Sequence, residues 1–400
     1  MFLGRHTERL ARWAHRRWGW AVAVAAVAAL AVPSLTPSVA RTMAARPASV
    51  TLQRELRSFV KMPGAPPGVI VLVQRSRRPT VYRAGVSNLS SHREVEPSDH
   101  MRLASVAKAF SGAVALSLVN RHVLCLNDTI AKWLPELPKA WRAVTLREAL
   151  QHTSGLPDFS ASDGFRTYLL KHPHATPSPL FLLHFIAHQR LDFHPGTRYH
   201  YSNTDNFVVA LMAEAATKRS YPTLLSSEVN SPLGLTHTGL PSGFRMPLPY
   251  MHGYQPDPPN PPEDVSTIIS AAYAWASGGV VSTPADLNRF IRGYAGARLF
   301  SRAVQSQQLR LVKGSSEPTG PGKNMAGLGI FRYSTRCGTV YGHTGNTPGY
   351  TQFMAATLGG KRSVTVSINS QLTEKVPRDR LPAFRRLREI EEDAVCVALG

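Results

Sequence analysis

Several features are missing from the 400-residue sequence, and each missing feature excludes a class of protein. Charged side chains make up only 18% of the chain and hydrophobic ones 43%, so disorder is not the dominant expectation and the length suffices to bury a core. A phosphate-cradling glycine loop, a dinucleotide fingerprint and internal repeats are all missing. The sequence therefore predicts one large globular unit or two interleaved subdomains, and no cofactor.

Acidic residues are scarce, with 25 Asp and Glu against 46 Lys and Arg, and the formal net charge is +21. The basic residues are scattered, without the clustered stripe or interleaved aromatics of a nucleic-acid binder, so no nucleic-acid partner is predicted. Two interpretations of the charge remain. One is attraction to an anionic cell wall or membrane, and the other, which is simpler, is an arginine-rich bias that aids solubility.

An apolar run long enough to cross a membrane is also missing. The run Trp18–Val32 is shorter than the roughly 20 residues that a spanning helix needs, and it stops at Pro33. Five arginines precede it, and Ser38 and Ala40 occupy the small-residue positions of a cleavage site, which is the layout of a secretory signal peptide. Residues 1–40 are therefore expected to be removed, leaving a secreted or cell-wall-associated protein without a stable membrane span.

Residues that form disulfides or bind metals are few. The chain has three cysteines, and a Cys337–Cys396 bond would pin the C-terminal tail, although spacing alone leaves the pairing open. Cys125 is expected to be a buried free thiol. His184 and His188 have the i, i+4 spacing of zinc ligands, but the glutamate of H-E-x-x-H and a third ligand are missing, so no metal site is predicted.

Hydrophobic periodicity predicts a sheet interrupted by a block of helices. A hairpin around the basic turn RSRRP precedes the block, and strands that include MAGLGIFRY follow it. The Pro-dense segment 247–263 is expected to be a loop that closes the block. Residues 50–105 and 266–400 are predicted to form an α/β (α+β) part with one antiparallel sheet, and residues 106–265 an inserted helical part.

The segment Ser105–Asn120 is apolar on nearly every face, which predicts a helix buried at the centre of the protein. Ser105 and Lys108 at its start have the spacing of a nucleophile and its base on one helical turn. There the hydroxyl would lie among unpaired backbone amides that can hold an oxyanion, and a desolvated lysine can lose its proton at neutral pH. Ser58 and Lys61 repeat this spacing on a polar helix and are interpreted as a solvated face.

Tyr201 and Asn203 are a second candidate pair. On a loop, the phenol could relay a proton to a leaving group and the amide could hold a substrate carbonyl. In isolation, a turn with capping residues before the next helix is the simpler interpretation.

The tripeptide His343-Thr344-Gly345 lies between two strand patterns. It could form an edge strand along a cleft, where the glycine lets a substrate backbone approach and the two side chains present donors to a carboxylate or carbonyl. The alternative is a tight hairpin turn. Residues 237–239 repeat the tripeptide.

In this order the three elements resemble the motifs of the serine β-lactamase and penicillin-binding protein superfamily, in its class C-like branch. The segments LREALQHTSGLPDF, YHYSNTDNFVVALMAEAATKRSY and WASGGVVSTPADLNRF look like recurring family segments, and the resemblance runs from about Gly68 to Asn369. Within the branch, the chain looks most like secreted actinomycete D-alanyl-D-alanine carboxypeptidases. The resemblance implies a β-lactamase-like fold, in which helices flank an antiparallel sheet and an all-helical subdomain is inserted.

The resemblance also implies a function and a role for each residue. The function is that of an exported serine hydrolase, expected as a monomer, that acts on cell-wall peptides through an acyl-enzyme and is covalently inhibited by β-lactams. The implied roles are Ser105 as nucleophile, Lys108 as its base, Tyr201 as proton relay, Asn203, His343, Thr344 and Gly345 as substrate-binding residues, the backbone N–H groups of Ser105 and Asn346 as oxyanion hole, and Cys337 with Cys396 as a disulfide. Residues 237–239 match a structural turn of the family.

The sequence departs from those carboxypeptidases at two places. Arginines that help to bind the peptide's terminal carboxylate follow GLGL in the relatives, whereas only a displaced Arg332 follows GLGI here, and Asn346 replaces a threonine. Tyr273 and Trp275 are candidates for the cleft wall or for ordinary core. Two alternatives therefore stay open, a family esterase or weak β-lactamase that acts on a small ester or β-lactam, and a non-catalytic cell-wall or β-lactam binding protein.

Overall fold

The computed structural model of the protein describes residues 48–257 and 260–400, so the expected signal peptide at residues 1–40 lies outside the described part. The strands of the described part are β1 (Gly68–Gln74), β2 (Thr80–Asn88), β3 (Arg93–Glu94), β4 (Met101–Arg102), β5 (Tyr254–Asp257), β6 (Asn260–Asp264), β7 (Val281–Ser282), β8 (Val312–Lys313), β9 (Lys323–Ala326), β10 (Phe331–Thr335), β11 (Gly338–Thr347), β12 (Tyr350–Ala356) and β13 (Ser363–Ile368).

Nine of these strands form one antiparallel sheet in the order β3-β2-β1-β13-β12-β11-β10-β9-β8. The N-terminal hairpin β1–β2 joins the C-terminal strands through β1 and β13, with Val69 opposite Ile368. The predicted hairpin, the single antiparallel sheet and the mixed α/β class are thereby confirmed.

Helices fill the interval between β4 and β5 and flank the sheet. They are α1 (Ala48–Phe59), α2 (Ala107–Asn120), α3 (Ile130–Trp133), α4 (Leu146–Gln151), α5 (Asp163–Lys171), α6 (Pro179–His184), α7 (Asn203–Thr217), α8 (Tyr221–Leu224), α9 (Ser231–Leu233), α10 (Trp275–Gly278), α11 (Pro284–Ala295), α12 (Arg302–Gln308) and α13 (Leu381–Leu399). Within the described residues, no helix is long and apolar enough to cross a membrane.

Strand β1 shows why the centre of the sheet is an unbroken apolar run. Successive side chains of a strand point to opposite faces. Val69 and Val71 pack with Leu56 of α1 and with α13 on one face, whereas Ile70 and Leu72 belong to a cluster on the other. Because both faces of β1 are covered, a strand with alternating apolar and polar residues would bury polar side chains there.

Helix α2 lies at the centre of the other layer, as its composition predicts. Its residues are buried from Ala107 to Leu118, and it packs against α7 and α10. Phe110 stacks on Phe290 of α11 with ring centroids 3.6 Å apart. The turn that precedes α2 contacts β11, which brings the serine motif to the His-Thr-Gly strand.

Two expectations about strands and loops are wrong. MAGLGIFRY is not one strand, because the chain turns between β9 and β10, where Gly329 has φ +63° and packs against Gly112 of α2. The Pro-dense segment 247–263 is not all loop, because β5 and β6 pair within it. Proline is tolerated in a two-stranded ribbon, since many of its backbone N–H groups have no partner strand.

The expectation that Cys125 is buried is also wrong. Its side chain is exposed, and it is a free cysteine. The residue lies in the tight turn after α2, where its backbone N–H donates to Asp128 Oδ2 and its carbonyl accepts from the Asp128 N–H. The turn places the thiol at the surface although its neighbours Leu124 and Leu126 are buried.

Candidate active site

Ser105 occupies a strained turn at the start of the buried helix. Residues Ala104–Val106 form a single 3₁₀ turn and α2 begins at Ala107, so the serine lies just before the α-helix rather than in its first turn. Ala104 has φ +51°, a left-handed conformation that costs a non-glycine residue free energy. The surrounding packing therefore holds the backbone in the form that presents the half-buried Ser105 to a cavity.

Lys108 has the surroundings of a general base. Its Nζ lies 3.2 Å from Ser105 Oγ, 2.7 Å from Asn203 Oδ1 and 2.9 Å from the Ser277 carbonyl oxygen. Burial lowers its pKa to about 7, although the nearby Asp158 carboxylate opposes this shift. A neutral amine has two N–H groups and one lone pair. The two carbonyl oxygens accept the two N–H groups, so the lone pair is left for the Ser105 proton.

Asn203 is placed to orient Lys108. It is the first residue of α7, and its Nδ2 donates to Asp158 Oδ2 at 2.9 Å and to Ser160 Oγ at 3.0 Å. These bonds fix the amide so that Oδ1 faces Lys108. Both amide hydrogens therefore have protein partners in this structure, and the predicted contact with a substrate carbonyl stays a prediction.

Tyr201 lies beside the same amine. Lys108 Nζ is 4.9 Å from the centre of the phenol ring. Burial raises the pKa of Tyr201 well above its ordinary value, and the nearby Ser105 side chain offsets only part of that effect. The phenol therefore keeps its proton at neutral pH, which suits a group that passes a proton to a leaving amine.

A buried cluster that was not predicted from the sequence supports Tyr201. The His152 ring packs on the Tyr201 ring with centroids 4.5 Å apart, and His152 Nδ1 lies 2.7 Å from Asp205 Oδ2. Ser154 Oγ donates to Asp205 Oδ1 at 2.5 Å. Burial lowers the pKa of His152 to about 3, so its imidazole is neutral. The segment HTSG, which contains His152 and Ser154, could have indicated this cluster, because polar side chains next to an apolar helix need hydrogen-bond partners when they are buried.

The tripeptide His343-Thr344-Gly345 forms part of strand β11 and not a turn. Strand β10 begins opposite Gly342, so among the described strands β11 pairs from His343 onward with β12 alone, which leaves its other edge without a partner strand. A Cβ atom at Gly345 would lie 2.5 Å from the Leu103 carbonyl oxygen and 3.0 Å from Ser105 N. Glycine therefore lets β11 approach the nucleophile turn, which brings Asn346 and Ser105 into one cavity.

The side chains of His343 and Thr344 are not among the residues that line that cavity, although they were predicted to face a cleft. Both are buried. Thr344 Oγ1 donates to the Pro318 carbonyl oxygen at 2.5 Å, and His343 packs edge-on against Phe331. They support the loop and strand around the site.

The cavity above Ser105 has a volume of about 270 Å³. Its lining residues are Ala104, Ser105, Phe159, Ser160, Phe165, Leu169, Tyr201, Asn203, Ile269, Tyr273, Ala274, Ser277, Gly278, Glu317, Asn346 and Thr347. Tyr273 is thus a wall residue, but Trp275 packs on Phe207 and Tyr221 in the core.

The charged side chain at the cavity is not the one predicted from the sequence. Glu317, which the sequence analysis did not single out, lines the cavity. Arg332, the candidate for carboxylate binding, does not line it, and its Nη2 contacts Met325 Sδ at 2.7 Å on the neighbouring strand. Glu317 lies in the irregular segment between β8 and β9, where no periodic pattern marks a functional residue.

The second His-Thr-Gly tripeptide lies apart from this cavity. The His237 N–H and the Thr238 hydroxyl both lie within 3.0 Å of Asp286 Oδ2 near the start of α11, and Gly239 pairs with Val281. These contacts make it a structural turn, as expected.

The structure joins Cys337 to Cys396 by a disulfide. Cys337 precedes β11 and Cys396 lies in the last turn of α13. The bond therefore ties the C-terminal helix to the start of the strand that reaches the active site.

A family model described as Beta-lactamase matches residues 52–387 of the chain. The chain belongs to the Beta-lactamase family. This confirms the resemblance drawn from the three motifs, and the match includes every residue placed around the cavity.

The similar proteins include a penicillin-binding protein and two hydrolases of D-amino acid amides or related substrates by name. Penicillin-binding protein 4* of Bacillus subtilis (strain 168) is 24% identical over 302 residues, which cover 72% of this chain and 64% of the relative, so the chain spans less than two thirds of that protein. A D-stereospecific amidohydrolase from Streptomyces sp. superposes with a TM-score of 0.71 at 26% identity, covering 84% of this chain and 97% of the other. D-amino acid amidase from Ochrobactrum anthropi SV3 superposes with a TM-score of 0.74 at 21% identity, covering 86% and 98%, and shares the fold.

Proposed function

We propose that this protein is a serine hydrolase that cleaves an amide bond next to a D-amino acid residue by way of an acyl-enzyme on Ser105. The observation that carries the proposal is the environment of Lys108 Nζ. Two carbonyl oxygens accept its N–H groups and Ser105 Oγ lies 3.2 Å away, while burial lowers the pKa of the amine to about 7. A binding protein needs no neutral buried lysine at a serine, because such a lysine is costly to bury and useful only as a base.

In the proposed reaction, Ser105 Oγ attacks the substrate carbonyl carbon while its proton passes to Lys108 Nζ. The carbonyl oxygen becomes an oxyanion that backbone N–H groups of Ser105 and Asn346 stabilise. The tetrahedral intermediate collapses with release of the amine, which takes a proton from the Tyr201 phenol, and Lys108 restores that proton to Tyr201. Water then attacks the acyl-enzyme ester, losing its proton to the same pair of groups, and the acid leaves with Ser105 reprotonated.

Two forms of this activity differ in what lies beyond the scissile bond. A D-alanyl-D-alanine carboxypeptidase, the form expected from the motifs, binds a terminal carboxylate, and the hydroxyl of Thr347 and the amide of Asn346 on the cavity wall are neutral donors for it. An amidohydrolase needs no such recognition. Since the described lining residues include no Lys, Arg or His, the amidohydrolase form is the better supported. The similarity to a Streptomyces D-stereospecific amidohydrolase supports it as well.

A substrate panel separates the two forms. We expect hydrolysis of D-phenylalanine amide to exceed that of N-acetyl-D-alanyl-D-alanine in kcat/KM, with L-phenylalanine amide cleaved more slowly than its D-isomer. Ser105→Ala should abolish all of these activities. Turnover retained in Ser105→Ala would overturn the proposed function, and preference for the D-alanyl-D-alanine peptide would restore the carboxypeptidase form. Hydrolysis of short acyl esters alone would instead indicate an esterase.

The proposal includes an exported location, because the N-terminal 40 residues have the layout of a signal peptide. Its substrates would then be peptides or amides at or outside the cell surface, and β-lactams would be covalent inhibitors. Expression of the full chain with detection of the activity in the culture medium tests the location.

A further inference from the structure

We propose that Glu317 selects substrates that carry a cationic amine over substrates that end in a carboxylate. This inference rests on the proposed amide hydrolase function and adds the charge and the specificity residue that it leaves open. Glu317 is the one charged side chain among the described residues that line the cavity over Ser105. The base Lys108 lies outside that lining and has a pKa of about 7, so near neutral pH it only partly balances the carboxylate.

Hydrogen bonds hold the loop on both sides of Glu317. Tyr199 Oη donates to the Ser315 carbonyl oxygen at 2.5 Å, and Tyr333 Oη donates to Ser316 Oγ at 2.9 Å. On the other side, Thr344 Oγ1 donates to the Pro318 carbonyl oxygen at 2.5 Å. An ordinary surface glutamate has no such support. These bonds fix the loop at Glu317 and so keep its half-exposed side chain beside the cavity, as pre-organised recognition requires.

The carboxylate is also available to a ligand. Its salt bridge within the described residues is to Lys375, whose Nζ lies 3.8 Å from Glu317 Oε2. The Lys375 side chain is 76% exposed and the Glu317 side chain 50%. A contact of that length between exposed groups is weak, because water screens it and the lysine loses rotamer freedom. A substrate amine that enters the cavity can replace Lys375 as the partner, and the lysine itself lowers the selectivity by competing.

Much of the remaining lining of the cavity is apolar or aromatic. It includes Phe159, Phe165, Leu169, Ile269 and Tyr273. A ligand that suits both the carboxylate and this apolar lining has an ammonium group and an apolar side chain. An apolar D-amino acid amide or a peptide with a free N-terminal D-residue has both groups, whereas an N-acylated peptide lacks the cation and a C-terminal carboxylate would face Glu317 with like charge.

Matched substrates and variants test this assignment. The substrates are D-phenylalanine amide, N-acetyl-D-phenylalanine amide and N-acetyl-D-alanyl-D-alanine, and the variants are Glu317→Gln, Lys375→Gln and the control Glu374→Gln. Glu374 is a neighbouring exposed glutamate that lines a different pocket. The readout is the ratio of kcat/KM for the free amine to kcat/KM for its N-acetyl form, measured at low and high salt.

We expect Glu317→Gln to lower that ratio by about two- to fivefold, mainly through KM, because one partly exposed ion pair is lost. Lys375→Gln should raise the ratio, Glu374→Gln should leave it unchanged, and high salt should lower it in the wild type. The carboxylate substrate should gain in Glu317→Gln. An unchanged ratio in a Glu317→Gln protein that still forms a penicillin adduct on Ser105 would overturn this inference alone, whereas absence of adduct and turnover in the wild type would overturn the proposed function.

Discussion

At the scale of single residues, the site depends on which proton each buried group holds. Lys108 is buried with a pKa of about 7, so about half of the amines are neutral at pH 7, and Tyr201 stays protonated. One group can therefore accept a proton where the other can give one. The sequence predicted the role of Lys108 from the S-x-x-K spacing and the buried helix, and the role of Tyr201 from its pairing with Asn203 and from the family resemblance. It did not predict that the Asn203 amide is bound to Lys108 and Asp158, because the partners are far apart in the chain and only the fold brings them together.

The state of Lys108 gives a pH dependence with a definite sign. Acylation needs the neutral amine, so kcat/KM should rise with pH through about 7 as Lys108 loses its proton. The Asp158 carboxylate raises the pKa of Lys108 against the larger effect of burial. Asp158→Asn removes that charge and keeps an oxygen for Asn203, so it should move the rising limb to lower pH. The measurement is the pH profile of kcat/KM for an uncharged ester, and a limb that stays in place or moves to higher pH would contradict this assignment.

At the scale of elements, the same tripeptide has two different structures. Residues 343–345 lie inside β11 with an open edge, whereas residues 237–239 form a turn bound to Asp286. Local sequence gave a weak distinction, since HTG suits a turn and only the flanking apolar residues favour a strand. The expected role of Thr344 as a donor to substrate stays a prediction, since its hydroxyl donates to the Pro318 carbonyl oxygen in the loop that carries Glu317.

The two glycines of these tripeptides form a matched pair. A Cβ at Gly345 would lie 2.5 Å from the Leu103 carbonyl oxygen, whereas a Cβ at Gly239 meets no atom within 4 Å. Gly345→Ala should therefore push β11 away from Ser105, destabilise the protein by roughly 1–3 kcal/mol and slow acylation by penicillin at least tenfold. Gly239→Ala should change neither quantity appreciably. Equal effects of the two substitutions on the acylation rate would show that close approach of β11 is not required.

At the scale of the whole molecule, the sequence predicted most of the architecture. An N-terminal hairpin, a helical block and later strands predicted one antiparallel sheet. In the structure, β1 and β13 are the neighbouring strands that join its N-terminal and C-terminal parts. The break between β9 and β10 and the exposure of Cys125 escaped prediction, since each depends on a contact with distant residues or on the exact path of a turn. The family match to residues 52–387 is consistent with a single unit that includes both parts.

The disulfide acts at this scale as well. It joins residues 59 apart in the sequence, and the chain-entropy estimate for a loop of that length is about 4 kcal/mol. Cys337 lies eight residues before Gly345, or about 26 Å along an extended strand, so the bond is far from Ser105. Cys337→Ser with Cys396→Ser should lower the melting temperature by several degrees and leave kcat/KM at 25 °C within about twofold of wild type. The control is Cys125→Ser, and a loss of activity without a loss of stability would contradict this separation.

The central claim is that Ser105 is the nucleophile of an acyl-enzyme. Mass spectrometry of the purified protein after mixing with benzylpenicillin tests it most directly, because ring opening adds the whole inhibitor to the attacking oxygen with no leaving group. The predicted result is a mass increase of one inhibitor per chain, located on the peptide that contains Ser105, faster above pH 7 and absent in Ser105→Ala. An adduct that persists in Ser105→Ala, or a wild-type protein that hydrolyses its amide substrates but forms no adduct at Ser105 with penicillin or with substrate, would contradict it.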